Sequence, residues 1–289
     1  MRVSLLYNGH AGDGVPLDYI RDAIEQRGHD LVRVVEGRTD AERLLEARPD
    51  IVAAAGGDGT IAHAARLLAR RGIPLAILPL GTANNIARSV GITASLDNLI
   101  VGWETARRLP LDLGVAEGAW GRTYFVEAVG SGLIPSAIGD AKTRTEEDVP
   151  THSKVAGAIR SIGEVLSRLQ PARWTIIADG ARTTGEFLLV EVLNIRSIGP
   201  NLVFSADATP LDGLFHVVIA GEEHRDEIAR YLQDLLEGHD RAPSLTSRCA
   251  RRVTLQGPTD IHVDDQVLPA SADRTVSIRV EAGGVELLA

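Results

Sequence analysis

The sequence predicts two domains, an α/β domain with a doubly wound parallel sheet followed by a mainly antiparallel β domain. The chain has 289 residues, which is more than one domain usually contains. Strand and helix patterns alternate through its first third, and such alternation is typical of a parallel sheet with helices on both faces. From about residue 109, strand-like runs follow one another with few helices between them, which favours antiparallel pairing.

The first third contains four strand patterns separated by apolar residues at helical spacing. In chain order we predict a strand over 2–7, a helix from Leu17 that stops at Gly28, a strand over 30–35, a short helix through Leu44, a buried strand over 51–55, a helix from Ile61 to Leu68 and a strand over 75–78. Thr39 and Glu42 have the spacing of a capping box for the short helix.

The rest of the chain is predicted to be rich in strands. Strand-like runs cover 109–115, 122–129, 172–178, 185–195, 201–205, 213–220, 252–256 and 275–281. Two apolar stripes, from Val155 to Leu169 and from Ile228 to Leu235, predict helices that pack on the sheets. The polar stretch 138–152 predicts an exposed connection.

Composition excludes several classes of protein. A net charge of −9 disfavours a nucleic-acid partner, since such binding needs a concentrated basic surface. No apolar run approaches the roughly 18 residues of a membrane span. The first residues lack the apolar segment of a secretory signal, so we expect a cytoplasmic protein.

Cys249 is the only cysteine, which excludes an intrachain disulfide and a cysteine-based zinc site. The lysines Lys142 and Lys154 lie outside any Gly-Lys-Ser/Thr sequence, so a Walker-type P-loop is absent.

A glycine-rich turn lies between the buried strand 51–55 and the following helix. It reads Gly56, Gly57, Asp58, Gly59, Thr60. Glycines let the backbone approach a ligand, and the N–H groups of a helix N-terminus favour phosphate. Because phosphate repels a carboxylate, Asp58 indicates an intervening cation such as Mg²⁺. The alternative interpretation is a tight strand-to-helix turn capped by Asp58 or Thr60.

A second loop, from Leu78 to Asn85, also follows a strand and opens a helix. Two neighbouring loops at the carboxyl ends of parallel strands mark the usual ligand site of an open α/β sheet. The two loops together therefore favour a nucleotide site over an isolated tight turn.

These loops resemble the catalytic region of diacylglycerol kinases, sphingosine kinases and bacterial lipid kinases. The resemblance continues in family order along nearly the whole chain. Its segments are Asn8 to Gly12, Gly-Gly-Asp-Gly-Thr at 56–60, Pro-Leu-Gly-Thr-Ala-Asn-Asn-Ile-Ala-Arg at 79–88, Asp112 in Leu-Asp-Leu-Gly, 125–132, Pro-Leu-Asp-Gly-Leu-Phe at 210–215, and Val-Asp-Asp-Gln at 263–266. Gly9 stands where the family has proline.

The resemblance implies a nucleotide-binding domain over 1–120 and a β-sandwich-like substrate domain over 121–275, with the active cleft between them. It also implies that the last strand, about 276–289, returns to the first domain. The implied reaction is transfer of the γ-phosphate of ATP, assisted by Mg²⁺, to the hydroxyl of a diacylglycerol-like lipid in phospholipid biosynthesis. Since the sequence has no apolar run long enough for an integral span, we expect such a protein to reach its lipid through an apolar surface or a transient membrane contact.

The resemblance also assigns roles to residues of this chain. The residues expected to contact the nucleotide or its metal are Asn8, Gly56, Gly57, Asp58, Gly59, Thr60, Gly81, Thr82, Asn84 and Asn85. Asp212, with the carbonyls of Thr209 and Leu214, matches a magnesium position of bacterial relatives, although an aspartate before Gly213 also suits a plain β-turn. Asp112 is expected to support the cleft, and Asp58, Asp264 and Gln266 are the catalytic candidates.

Several positions depart from the family pattern by losing a carboxylate. The family often has Asp at Asn85, Asn-Glu at Ala62-His63, and Asp-Gly-Glu at 264–266. That last glutamate is the family's proton acceptor, and the amide of Gln266 cannot act as a base near neutral pH. Asp264 or Asp265 is then the available acceptor. A weak base is compatible with phosphoryl transfer, which depends mainly on positioning and charge neutralisation.

Two further functions use the same fold. A noncatalytic lipid- or nucleotide-binding homologue agrees with the changes at Gln266, Ala62 and Asn85. An NAD kinase shares the Gly-Gly-Asp-Gly sequence, but that family has an Asn-Glu pair that contacts the nicotinamide ribose, and this chain has no Asn-Glu dipeptide. We therefore rank the lipid kinase first.

Overall fold

The computed structural model describes residues 1–12, 14–143, 151–239, 241–258, 260–268 and 275–289. The chain forms two compact units. The first unit contains Met1–Leu113, Pro210–Asp212 and Glu281–Ala289, and the second contains Gly114–Thr209 and Gly213–Val280. In the part of the chain that the structure describes, no helix has both the length and the apolar composition that a bilayer crossing requires.

The first unit is built on a parallel sheet. Its strands are β1 (Arg2–Tyr7), β2 (Asp30–Glu36), β3 (Ile51–Gly56) and β4 (Leu75–Pro79), in the order β2-β1-β3-β4. All three pairings between them are parallel. Residue Leu287 of the last strand of the chain pairs in parallel with Leu75, so the returning strand extends this sheet beyond β4.

Helices cover both faces of this sheet. They are α1 (Leu17–Gln26), α2 (Arg43–Glu46), α3 (Asp58–Leu68), α4 (Asn85–Ser89) and α5 (Leu96–Gly102). Alternate strand residues such as Leu5 pack with Ile20 of α1 and Ile100 of α5. Ser4 points the other way and donates its hydroxyl to the carbonyl of Leu44 in α2, at 2.8 Å. This arrangement confirms the doubly wound α/β prediction.

The second unit is mainly antiparallel. Its complete strands are β6 (Gly121–Phe125), β7 (Ala128–Gly132), β8 (Ala172–Ala178), β9 (Ala181–Phe187), β10 (Leu189–Leu193), β11 (Ser197–Ile198), β12 (Leu202–Val203), β13 (Phe215–Ala220), β14 (Thr246–Ala250), β15 (Arg252–Gln256), β16 (Ile261–Val263) and β17 (Gln266–Leu268). Two longer strands belong to it in part. They are β5 (Arg108–Gly118), from Gly114 onward, and β18 (Thr275–Leu288), up to Val280. One sheet has the order β14-β13-β10-β7-β16-β17, and a second contains β9-β8-β15-β18 with β5 and β6 beyond β18.

Apolar residues of both sheets pack together in the second unit, among them Phe125, Trp174 and Phe215. The other face of the six-stranded sheet packs against α6 (Leu133–Thr143), α7 (Thr151–Arg168) and α8 (Arg225–Leu236). The β-sandwich-like prediction for this part of the chain is therefore confirmed, with a helical layer on one side.

Three local predictions were wrong. The run 122–129 is two strands, because the N–H groups of Val126 and Glu127 bind a side chain instead of a neighbouring strand. The run 185–195 is likewise divided between β9 and β10. The capping box is not formed: Asp40 has a left-handed backbone (φ 60°), and α2 begins only at Arg43, without a side-chain cap.

Other differences concern elements that the sequence patterns did not predict. These are α5, α6 and the short strands β11, β14, β16 and β17. In the predicted exposed connection 138–152, residues 138–143 belong to α6, and 144–150 lie outside the described residues.

Candidate functional site

Three loops of the first unit meet at the carboxyl ends of β1, β3 and β4. The N–H of Asn8, after β1, donates to the carbonyl of Ala55 at 2.9 Å, and the N–H of Leu80, after β4, donates to the carbonyl of Gly56 at 2.9 Å. Because β3 lies between β1 and β4 in the sheet, these bonds join both outer loops to the glycine-rich turn.

Glycines allow the loops to pack backbone against backbone. A β-carbon built on Gly81 lies 2.5 Å from the α-carbon of Gly57, and one built on Gly12 lies 2.1 Å from the carbonyl oxygen of Leu80. Gly12 also has a left-handed backbone, with φ 56°. Any larger residue at Gly12 or Gly81 must therefore separate the loops.

Asp58, the first residue of α3, links the glycine-rich turn to the loop from Leu78 to Asn85, which follows β4 and is the third loop of the site. Its Oδ1 accepts the N–H of Ile86, near the start of α4, at 2.9 Å. Burial raises the pKa of Asp58, against the backbone N–H groups of Ile86, Asn85, Asp58 and Asn84, which lower it. A partly buried carboxylate with a raised pKa is an environment in which a nearby cation would favour the ionised form.

Asparagine side chains fix the other two loops. Asn84, which has a left-handed backbone, accepts the N–H of Gly81 at 2.9 Å and donates to the carbonyl of Gly81 at 2.7 Å. Asn8 donates to the hydroxyl of Thr60 at 3.4 Å and accepts the N–H of His10 at 3.2 Å. The loops are thus held by their own side chains, which leaves the glycine backbone as the surface that a ligand would meet.

The remaining predicted nucleotide residues differ in exposure. Thr82 is exposed, whereas Asn85 is buried at 1% exposure and Thr60 is buried at 3%. Gly56, Gly57 and Gly59 lie at the end of β3 and the start of α3. The structure thus brings the predicted residues of all three loops together, with Asn85 and Thr60 beneath the surface.

Asp112 is buried in the first unit. Its Oδ1 accepts the N–H of Gly283 at 2.8 Å, and its own N–H donates to the carbonyl of Pro210 at 2.8 Å. Asp112 therefore holds together three chain segments that are far apart in sequence.

Asp212 lies two residues after Pro210, is exposed and precedes Gly213, whose φ is 73°. The assignment of Asp212, Thr209 and Leu214 to a metal stays a prediction.

In the second unit, the turn between β16 and β17 contains Asp264 and Asp265. Asp264 is buried, and its Oδ1 accepts the N–H of Glu127 at 2.8 Å and of Val126 at 3.1 Å. Its N–H donates to the carbonyl of Ala128 at 2.9 Å. Asp264 thus anchors the segment between β6 and β7. Asp265 and Gln266, by contrast, are exposed.

A buried Glu191–His262 pair supports this turn, and the sequence analysis missed it. Nε2 of His262 lies 2.9 Å from Oε2 of Glu191, and Nδ1 lies 2.9 Å from the carbonyl oxygen of Asp264. The carbonyl can only accept, so Nδ1 carries a proton. A signal was available, because Glu191 is the single charged residue in the apolar run from Leu188 to Leu193.

Comparison with known proteins identifies the family of the chain. Residues 2–116 match the family described as "Diacylglycerol kinase catalytic domain", and residues 141–285 match "YegS C-terminal NAD kinase beta sandwich-like domain". The chain is 29% identical over 272 residues to "Diacylglycerol kinase" of Mycobacterium tuberculosis, covering 89% of this chain and 85% of that protein. It is 31% identical over 271 residues to "Probable lipid kinase YegS" of Escherichia coli K12, covering 89% and 86%.

Solved structures show the same fold. A diacylglycerol kinase from Bacillus anthracis superposes with a TM-score of 0.74 at 18% identity, over 99% of this chain and 96% of that chain. The predicted family resemblance and the predicted fold class are both confirmed by these matches.

Proposed function

Because the chain belongs to the family of diacylglycerol kinases and YegS-like lipid kinases, we propose that it transfers the γ-phosphoryl group of ATP to the hydroxyl of a diacylglycerol-like lipid, with Mg²⁺ as cofactor. The observation that carries this proposal is the packing of three loops, backbone against backbone, at the carboxyl ends of β1, β3 and β4. This is the position at which open α/β sheets bind nucleotides.

The loops supply mainly backbone N–H groups to the phosphates. Gly57 precedes α3, so the first N–H groups of that helix are directed toward an anion at this end of the sheet. Gly57 and Gly59 have no side chains that would cover these N–H groups. Thr82 is the exposed hydroxyl of the third loop and adds a donor for a phosphate oxygen.

Asp58 is the residue that we propose to hold Mg²⁺, directly or through water. Burial raises its pKa, and a cation would relieve the cost of that buried charge. Bound Mg²⁺ neutralises the charge that the phosphates carry and develop during transfer. The bond from Ile86 keeps the carboxylate in place at the edge of the glycine-rich turn.

We propose Asp265 as the acceptor of the proton from the lipid hydroxyl. The carboxylate of Asp264 is buried and accepts two backbone N–H groups, so its role is to fix the turn. Asp265 is exposed beside it. Gln266 is exposed as well, and its amide can orient a hydroxyl by a hydrogen bond without taking the proton.

The test is Mg²⁺-dependent transfer of labelled phosphate from ATP to a panel of lipids, with NAD included as an acceptor. We expect label in one lipid class, and its loss in Asp58→Asn, which removes the charge but keeps an oxygen for the Ile86 N–H. Asp179→Asn is the matched control, because Asp179 also accepts backbone N–H groups, from Arg251 and Arg252 at 2.9 Å, in the second unit. If NAD were the only acceptor that received label, the activity would be that of an NAD kinase and the lipid kinase proposal would be wrong.

One observation favours a second candidate function, a noncatalytic lipid- or nucleotide-binding homologue. Gln266 is exposed at the position where the family has its proton acceptor, so the position is accessible but not basic. ATP binding without product in either wild type or Gln266→Glu would support this alternative.

A further inference from the structure

The second unit contains a cavity of about 380 Å³ beside the β16–β17 hairpin. This volume lies within the range of roughly 300–1,000 Å³ that is usual for small-molecule sites. Helix α6 forms one wall, and the start of β8 and the end of β9 form another. Val267 of β17, next to Gln266, closes the side toward the hairpin.

Five of the residues that line the cavity are apolar. Pro135 is buried, and Leu169, Ala172, Phe187 and Val267 are partly exposed. When an apolar ligand displaces water from partly exposed apolar side chains that line one concave space, the burial of this surface favours binding. The chemistry of this surface therefore suits a hydrocarbon chain.

Four other lining residues are polar: Ser136, Gln170, Asp140 and Asp260 supply hydroxyl, amide and carboxylate groups. The carboxylate of Asp140 forms an ion pair with Arg168, which balances its charge. A lining with both apolar and polar residues fits an amphiphile whose chain contacts the apolar residues and whose ester or hydroxyl groups bind the polar ones.

The wall formed by α6 has a regular cause. Pro135 and Gly139 are four residues apart, and so are Ser136 and Asp140, so the two pairs lie side by side along one face of the helix. Leu133, Ile134 and Ala137 point away from that face into the core. Since α6 is anchored through its opposite face, the cavity wall does not depend on a ligand for its position.

We propose that this cavity holds an acyl chain of the lipid substrate. The inference rests on the proposed lipid kinase function and deepens it by naming the part of the chain that selects acyl length. Val267 follows two residues after Asp265, the proposed proton acceptor, and an extended chain advances about 3.3 Å per residue. The glycerol backbone of a diacylglycerol can bridge that distance to the hairpin turn.

Gly139→Leu is the test variant, because it fills the cavity without disturbing the fold. Gly139 lies in α6, and a β-carbon built there meets no atom of the described residues within 4 Å. Leucine is also a better helix former than glycine. We expect the KM for dioleoylglycerol in mixed micelles to rise at least about tenfold, which corresponds to the loss of roughly two methylene contacts. The KM for dihexanoylglycerol should change less than about twofold, because its short chains need less of the cavity.

Gly157→Leu is the matched control. Gly157 is an exposed glycine of the helix α7, and a β-carbon built there also meets no atom within 4 Å. The same exchange outside the cavity should leave both KM values unchanged. Equal KM values for wild type and Gly139→Leu with both lipids would overturn the assignment of the cavity.

A binding measurement separates failure of this inference from failure of the proposed kinase. The probe is dansyl-aminoundecanoic acid, whose fluorescence rises in apolar surroundings. If wild type phosphorylates no lipid but binds the probe, and Gly139→Leu loses that binding while Gly157→Leu keeps it, the kinase proposal fails and the acyl cavity stands. Equal probe binding by all three proteins, or none by wild type, overturns the cavity.

Discussion

Glu191 and His262 face each other across Gly130. Gly130 of β7 pairs with Glu191 of β10 on one side and with His262 of β16 on the other. The missing side chain of Gly130 leaves the space in which the carboxylate and the imidazole meet at 2.9 Å. The pair in turn holds the Asp264 carbonyl, so three strands and the hairpin turn are coupled through one row of residues.

We expect Gly130→Ala to destabilise the protein by about 1–3 kcal/mol, as overpacked cores usually are. A β-carbon at this position lies 2.2 Å from the carboxyl carbon of Glu191, and no shift of a flexible chain end relieves that contact, because Glu191 is completely buried. Urea unfolding measures the effect. Gly157→Ala is the control and should be neutral or stabilising. A Gly130→Ala protein as stable as wild type would contradict the packing described here.

Stability should fall with rising pH because of the same pair. Burial alone lowers the pKa of His262, but the charge of Glu191 and its hydrogen bond outweigh burial, so the pKa lies above the ordinary value of 6.5. Burial raises the pKa of Glu191 above its ordinary 4.5. A group with a raised folded pKa stabilises the fold below its unfolded pKa and loses that contribution as the pH rises through the folded value.

For His262, this loss begins above pH 6.5, and for Glu191 it begins above pH 4.5. We expect the free energy of unfolding, measured from pH 6 to 9, to decline in wild type and to decline less in the double variant Glu191→Gln/His262→Gln, which removes both titrating groups. His239→Gln, at an exposed histidine, should retain the wild-type profile. Identical profiles for wild type and the double variant would show that another group causes the decline.

Gln266→Glu should raise the turnover number. The side chain is exposed at the hairpin, so a carboxylate there would be ionised and available to accept the hydroxyl proton. General-base assistance contributes about 10²–10⁴-fold in favourable cases, and the loose transition state of phosphoryl transfer places the expected gain near or below the lower end, about 10–100-fold. Steady-state kcat measures it, with Gln256→Glu, another exposed glutamine of the second unit, as control.

Gly12→Ala should weaken nucleotide binding and stability together. Gly12 and Gly28 both have left-handed backbones, with φ of 56° and 76°. A β-carbon on Gly12 would lie 2.1 Å from the Leu80 carbonyl oxygen, whereas one on Gly28 meets nothing within 4 Å. Gly28→Ala therefore carries only the backbone strain, about 1–2 kcal/mol, and leaves ATP affinity unchanged. Gly12→Ala separates the loops as well, and calorimetric titration with ATP should show a loss of affinity.

The parallel sheet and its loops were predictable because their signals are local. Continuous apolar runs such as Ile51 to Ala55, followed directly by glycines, identify both the strand and the turn after it. The Gly-rich turn and the loop near Gly81 were therefore placed correctly at strand ends.

The parts that failed depend on partners far away in sequence. Asp264 binds N–H groups 137 and 138 residues earlier, and that contact divides the single strand predicted over 122–129 into β6 and β7. The Glu191–His262 pair requires the register of three strands at once. The position of Glu191 in an apolar run marks it as unusual, but strand pairing register is not encoded in alternation along one segment, so the partners in both contacts could not be predicted from the sequence.

The position of β18 has a consequence for the order of events during synthesis. Its final residues pair with β4, and the N–H of Arg70 donates to the carbonyl of Gly284 at 2.8 Å. The residues joined by this hydrogen bond are more than two hundred positions apart in the sequence. Until residues 281–289 leave the ribosome, β4 is an unprotected edge that other chains can join. The sheet of the first unit, although most of it is translated early, is therefore complete only after the last strand has been synthesised.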